Sequence, residues 1–499
     1  MKKTITKQGF IRFYTYLTVF TAGAVILMLE ILGSRIMAPY YGNTIYVWSS
    51  LISVAMLALA AGYFLGGWIA DRRPSYSVLY GVIFLASLFM LLIPVMSSQV
   101  LMAANKLGPR YGAFFGAAVL FTAPLLLLGV VSPFAVRLSL KNIEGAGMAA
   151  GSLYSVSTIG CFCGAILAGF YLIPVMGISK MIIMMAVFPA LLSLAWFLIN
   201  GKRKAAVALL IPFVFISAVN AANEMYLKKR DISVIFDTES MYSRVRVVDF
   251  ASGYRGIFLD NAMQTAYNKR EGRFDLGYIV KFEEAVELLP GAKTVLSIGL
   301  GAGAIDRILR RKGLDVDNVE IDEAVVTAAR EYFGFDGNVI IGDGRHYART
   351  TEKRYDMAFL DAFNGFSIPS HIITKEAFET IKISLNEGGI LVVNVVGTGY
   401  TNRNGEDFTF DRLVSAVDAT LREVFDNVIV RMTGHGVGNF VFCASDSAFP
   451  EDSRYKAVDY RSSPVVLTDD HNPAEFLKSI TIEEWRDIEI RRSGDRFFM

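Results

Sequence analysis

Residues able to bind and transform a small molecule cluster in the C-terminal half. Gly299, Gly301 and Gly303 punctuate the turn Gly-Leu-Gly-Ala-Gly between the apolar run TVLSI and the helical stretch AIDRILRR. Such a turn brings backbone close to a ligand and opens a helix, and by itself it is shared by many nucleotide folds. Glu320 ends the next apolar run about 20 residues on, where a carboxylate accepts both hydroxyls of a ribose. Asp343-Gly344 ends a third run, where a short acid takes the amino group of an adenine, and Asp361 ends a fourth. No Lys or Arg adjoins the glycine turn to neutralise a pyrophosphate, so the pattern fits a nucleoside without phosphates. A competing reading, in which the acids merely cap helices, is disfavoured by three concordant positions.

The elements that must position these groups follow from periodicity. ISVIFDTESMYSRVRVVDF and YRGIFLDNAMQT alternate with period two and predict a small antiparallel sheet over 232–265. A helix is expected near 278–289. Apolar strands then alternate with helices: KTVLSIG, GLDVDNVEID, NVIIGDG, YDMAFLDAF and, after a helix from about 375 to 385, GGILVVNVV. That alternation predicts a parallel, doubly wound Rossmann-like sheet with its ligand at the carboxyl ends of the strands, where Asp361 also falls.

The first half is of another kind. The 499 residues are 53% hydrophobic and 19% charged, with a net charge of +2. Residues 1–222 hold 15 Lys/Arg against three acids (Glu30, Asp71, Glu144), whereas 223–499 hold 34 against 44. A multi-span α-helical membrane domain is therefore expected over 1–222, then a small antiparallel β region over 223–275 and the Rossmann-like domain over 276–499. Seven spans are expected, at about 13–36, 46–70, 77–97, 111–136, 149–176, 179–199 and 204–222. Gly160 and Gly164 permit close helix approach, and Pro124, Pro133, Pro174 and Pro212 are expected kinks. Glu30 and Arg35 are the charges near the middle or end of a span, read as a structural ion pair or a snorkelling Arg35 ahead of a functional pair. Gly62–Arg73 (GYFLGGWIADRR) resembles the loop after the second helix of major-facilitator transporters, without their twelve-helix body or inverted repeat. Three cysteines make no disulfide framework, no metal spacing is present, and the acidic half has no basic patch for nucleic acid.

The order of motifs in the second half resembles spermidine synthase, the aminopropyltransferase branch of the class I S-adenosylmethionine-dependent fold. The matching pieces are Gln264 four residues after Asp260, Tyr278, the glycine turn, VEID (319–322), GDG (342–344), YDMAFLD (355–361) and LNEGGI (385–390). With its apolar first half and LTDDHNP (467–473) followed by Glu475, the whole chain resembles the membrane-fused spermidine-synthase-like proteins of bacteria. The resemblance implies S-adenosylmethionine or its decarboxylated form as a substrate, with no metal. Glu320 would hold the ribose, Asp343 the adenine amino group, and Gln264 would lie beside the sulfur. Asp361 would help deprotonate the attacking amine. Tyr242 and Tyr278 are candidates to stack on or hydrogen-bond the substrate, with a buried structural role as the competing reading. His371 is a candidate to close over the site, and a surface position competes with that. Two departures stand out: the acid that the family carries in the glycine turn is Ala302, and its second acid three residues after Asp361 is Asn364. Loss of these charges weakens recognition of a diamine by about 1.5–3 kcal/mol and admits intact S-adenosylmethionine as donor, although Asp469, Asp470 or Glu239 are possible replacements.

The expected function is aminopropyl transfer to an amine, with a polyamine acceptor compatible with the pattern, and release of 5'-methylthioadenosine. Alternatives are an S-adenosylmethionine lyase giving homoserine lactone without acceptor, methyl transfer, and a non-catalytic nucleoside sensor or transporter. A homo-oligomer is compatible with the chain. The positive-inside rule puts the N-terminus in the cytoplasm. Seven crossings would then put the second half outside, against Lys228, Lys229 and Arg230; an interfacial last segment restores the expected location, an inner-membrane protein with a cytoplasmic catalytic domain.

Overall fold

Two units divide the chain at Arg230, and a computed structural model describes residues 2–42, 44–140, 145–173, 176–227, 232–275, 277–363, 368–401, 408–410, 412–433, 436–450 and 465–477. The first unit is helical: α1 (Lys2–Tyr41), α2 (Ile45–Arg72), α3 (Tyr76–Asn105), α4 (Gly108–Gly129), α5 (Val131–Ser139), α6 (Ala146–Ile166, extended by a π turn to Leu172), α7 (Ile178–Ile199) and α8 (Arg203–Leu227). Small residues let α1 and α6 pack backbone to backbone. A Cβ on Gly160 would stand 2.1 Å from the Phe20 carbonyl oxygen, and one on Gly23 would stand 2.1 Å from that of Ser157. A side chain at either position would force the helices apart.

Among the described residues, six helices are long and apolar enough to cross a membrane: Gln8–Tyr41, Ile45–Arg72, Tyr76–Asn105, Arg110–Ser139, Ala146–Leu172 and Ile178–Ile199. The seventh expected span, 204–222, falls on α8, whose side chains are described only as far as Val219. Pro124, Pro133 and Pro212 lie in α4, α5 and α8. Pro174, Lys228, Lys229 and Arg230 lie outside the described residues.

The second unit starts with a five-stranded antiparallel sheet in sequence order: β1 (Ile232–Glu239), β2 (Arg244–Phe250), β3 (Tyr254–Leu259), β4 (Ala262–Asn268) and β5 (Arg273–Phe274). Helix α9 (Gly277–Val286) leads into the main sheet: β6 (Thr294–Ile298), α10 (Ala304–Arg311), β7 (Asp315–Glu320), α11 (Glu323–Phe333), β8 (Asn338–Ile341), α12 (Gly344–Thr350), β9 (Tyr355–Leu360), α13 (Lys375–Ile383) and β10 (Leu385–Thr401). β11 (Phe408–Phe410), α14 (Arg412–Arg422), β12 (Asn427–Met432), β13 (Gly436–Ser445) and α15 (Ala474–Leu477) complete it. The strand order is β12-β13-β10-β9-β6-β7-β8, with β11 on β10; β6 to β10 run parallel and β11, β12 and β13 antiparallel. The expected Rossmann-like sheet is thus present, with an antiparallel extension that periodicity alone did not indicate.

Both faces of the parallel strands are apolar because helices cover both. Leu296, Ala358, Leu391 and Val393 face one core with Phe378 and Val417, while Val295, Met357, Phe359 and Val392 face the other with Phe282 and Leu309. The small sheet packs through Val245, Val247 and Ile257 onto Val325, Phe333 and Ala302. That contact sets it against the glycine turn.

Candidate active site

After β6 the chain turns to β7 and β8 on one side and returns to β9 on the other, so the sheet has its switch point between β6 and β9. A crevice forms where connections diverge. There Ile298 pairs with Leu360, and the Asp361 N–H donates to the Ile298 carbonyl at 2.9 Å. Gly299 follows at φ +95°, and a Cβ on it would lie 2.2 Å from the Asp361 carbonyl oxygen. Only glycine lets the two strand ends converge. Gly301 and Gly303 also adopt positive φ, and Gly303 caps α10.

A cavity of about 960 Å³ opens on these ends. Gln264, Gly299, Gly301, Glu320, Asp343, Gly344, Asp361, Tyr242 and Tyr278 all line it. Gly303 does not; it shapes the turn from behind, where a Cβ would meet the Phe335 ring at 2.8 Å. Asn364 lies outside the described residues. Gly344 allows α12 to approach β6, since a Cβ would stand 2.3 Å from Ile298 Cγ2.

Glu320 is buried at the end of β7. Its Oε2 accepts the Leu300 N–H at 2.9 Å and its Oε1 the Asp322 N–H at 3.0 Å. Burial pushes its carboxyl above the usual range, and these N–H donors offset part of that rise. Each oxygen keeps a lone pair for a further donor such as a ribose hydroxyl. Asp343 caps α12 through the His346 N–H at 2.7 Å, and its Oδ2 lies 3.1 Å from His371 Nε2. Burial would raise its carboxyl, but the His346 N–H and the His371 ring outweigh it and hold it below the usual range. His371 therefore sits beside Asp343 at the cavity wall.

His371 is held by a strap from the C-terminal segment. Arg345 donates to the His371 carbonyl at 3.0 Å and makes a bidentate pair with Asp469 at 2.8 and 2.6 Å. Asp469 also accepts Thr374 Oγ1 at 2.8 Å, and Asn472 Nδ2 donates to the Ser370 carbonyl at 2.7 Å.

Asp361 is the reactive candidate. Asn394 Nδ2 donates to its Oδ1 at 2.7 Å, Asn439 Nδ2 donates to Asn394 Oδ1 at 3.1 Å, and Tyr278 hydrogen-bonds the carboxylate. Burial raises its pKa to about 6, while Asn394 and Tyr278 pull the other way. Burial, with the adjacent Asp361 charge, also drives the Tyr278 phenol well up, so it stays a donor. The result is a carboxylate poised close to neutral pH, suited to accept a proton. Gln264 Nε2 donates to the Ala262 carbonyl at 3.2 Å at the cavity wall.

Residue types and spacing did not single out Asn394 or Asn439. The signal for Asn394 was a lone amide inside the apolar run ILVVNVV, which in a buried strand needs a partner. Ala302 departs from expectation: it is 1% exposed among Val245, Val247 and Val325 and is not part of the cavity lining. An argument about charge at the reacting end cannot rest on that position here.

Residues 282–430 match the family model of the spermine/spermidine synthase domain. A polyamine aminopropyltransferase of Vibrio vulnificus is 34% identical over 145 residues, 27% of this chain and 44% of the relative. A probable polyamine aminopropyl transferase of Bifidobacterium longum is 24% identical over 245 residues, 48% of this chain and 50% of the relative. The chain spans about half the length of these curated relatives. Among solved structures, spermidine synthase of Thermotoga maritima is 18% identical with a TM-score of 0.35, covering 51% of this chain and 88% of that one. The strand order makes the second unit a Rossmann-like domain, and its residues 282–430 are similar to the spermine/spermidine synthase domain.

Proposed function

We propose that the chain is a membrane-anchored transferase. It binds a sulfonium nucleoside, S-adenosylmethionine or its decarboxylated form, and passes the three-carbon amine-bearing group to an amine. The observation that carries this is Asp361, a buried carboxylate with a pKa of about 6 at the sheet's switch point. Glu320 would take the ribose hydroxyls, Asp343 the adenine amino group, and the wall around Gln264 the sulfur. An amine must lose its proton to attack. As its nitrogen bonds the sulfonium-linked carbon, the carbon–sulfur bond breaks and its electron pair neutralises the sulfur, releasing methylthioadenosine. Asp361 accepts the amine's proton, and Asn394 and Tyr278 hold it in line.

The family match and the named relatives support transfer to an acceptor; neither lends support to the acceptor-free lyase reaction. The six long apolar helices support the membrane anchor. The test is to incubate purified full-length chain with each donor, with and without a diamine, and identify products by mass spectrometry. Methylthioadenosine formed only with acceptor is expected. Methylthioadenosine formed equally without one defeats the transferase reading.

A further inference from the structure

Among the described residues, the cavity lining sets one ammonium group beside its carboxylates. Of the carboxylates lining the cavity, Glu320 and Asp322 are engaged at the ribose end and Asp343 with His371. That leaves Asp361 and Asp275, an exposed rim group that accepts the Tyr254 hydroxyl at 2.8 Å. Against them the lining presents a cation, Lys281. Lys281 lies three residues after Tyr278 on α9, and side chains three apart share a helix face. Tyr278 hydrogen-bonds Asp361, so Lys281 stands about one turn of α9 from the tyrosine that contacts the proposed base.

Lys281 is paired with a carboxylate that also serves a second cation. Its Nζ lies 3.0 and 3.3 Å from the two oxygens of Glu284, and Glu284 also pairs with Arg431. Lys281 and Glu284 are 23% and 19% exposed, so this charge is largely shielded from water. A shielded ammonium that shares its counter-ion gains from a second anion, and repels a second ammonium.

We infer that Lys281 is a carboxylate subsite, so that a substrate of this site bears a carboxylate beside its amine. This rests on the reading that the cavity binds a sulfonium nucleoside and an amine acceptor. The carboxylate belongs to the intact donor or to an amino-acid acceptor.

The test uses full-length protein in detergent. Binding of S-adenosylmethionine, decarboxylated S-adenosylmethionine and methylthioadenosine is titrated on wild type, Lys281→Gln and Lys281→Arg, and turnover is measured with putrescine and with ornithine. Methylthioadenosine has neither carboxylate nor ammonium, so its unchanged affinity certifies the fold of each variant. If the donor supplies the carboxylate, Lys281→Gln weakens S-adenosylmethionine roughly ten- to a hundred-fold, leaves the decarboxylated form unharmed, and Lys281→Arg retains the preference. If the acceptor supplies it, donor affinities stay put and KM for ornithine rises by the same factor while that for putrescine does not. Methylthioadenosine binding with no such selective loss in any arm overturns the inference alone. A wild-type chain that binds no methylthioadenosine overturns the underlying reading, and the inference with it.

Discussion

A base at Asp361 would work only while ionised, so a pKa of about 6 would set the acid limb of the proposed activity. kcat/KM is expected to fall tenfold per pH unit below about 6 and to level off above it. Asn394 stabilises the ionised form through its 2.7 Å hydrogen bond. Asn394→Ala should therefore move that limb upward by about one unit, the worth of a hydrogen bond to a charged acceptor. A limb that stays in place in the variant assigns the titration to another group. Asp361→Asn should abolish turnover and spare methylthioadenosine binding. The stability sign follows from the same shift: an acid whose pKa rises on folding favours the native state at low pH, and that contribution is lost as pH rises through about 6. Removing the charge should raise the melting temperature relative to wild type by more at pH 7.5 than at pH 5. An equal difference at both pH values contradicts burial of the charge.

At the scale of elements, the turn after β6 and the strap over His371 do the positioning. Gly299→Ala places a Cβ within 2.2 Å of the Asp361 carbonyl and asks alanine to hold φ +95°. Left-handed backbone alone costs about 1–2 kcal/mol, so the strand ends must part. The expected result is loss of nucleoside binding with a drop in melting temperature, read by titration and thermal scan; unchanged binding would show that the β6–β9 convergence is dispensable. Asp469→Asn weakens the pair with Arg345 and frees the loop that carries His371. It should raise KM for the donor several-fold with little change in kcat, and speed protease cleavage within 368–374. These elements were legible to different degrees. Parallel strands announced themselves because both faces are buried and their ends carry Glu320, Asp343 and Asp361. The partnership of Asn394 with Asn439 was not legible, since it depends on β13 pairing with β10, where Asn394 stands opposite Val441. Lys281 was hidden because a lysine on an amphipathic helix looks like solvated surface until the helix is docked.

For the whole molecule, the charge division between the halves would become a topology if the six long apolar helices among the described residues are the crossings and α8 lies at the interface. The ends of an even number of crossings share a side. Lys2, Lys3, Lys7, Arg12, Arg72, Arg73, Arg137, Lys141, Lys202, Arg203 and Lys204 then fall on that side, and Lys106, Arg110 and Lys180 on the other. Eleven against three is the asymmetry that the positive-inside rule assigns to the cytoplasm. We therefore expect the second unit in the cytoplasm, where a methionine-derived nucleoside is made and used, with α8 outside the set of crossings. A C-terminal epitope tag tests this. In right-side-out spheroplasts it should resist added protease, and in inside-out vesicles it should be lost. Cleavage in intact spheroplasts would mean that α8 crosses as a seventh span and that the second unit faces outward.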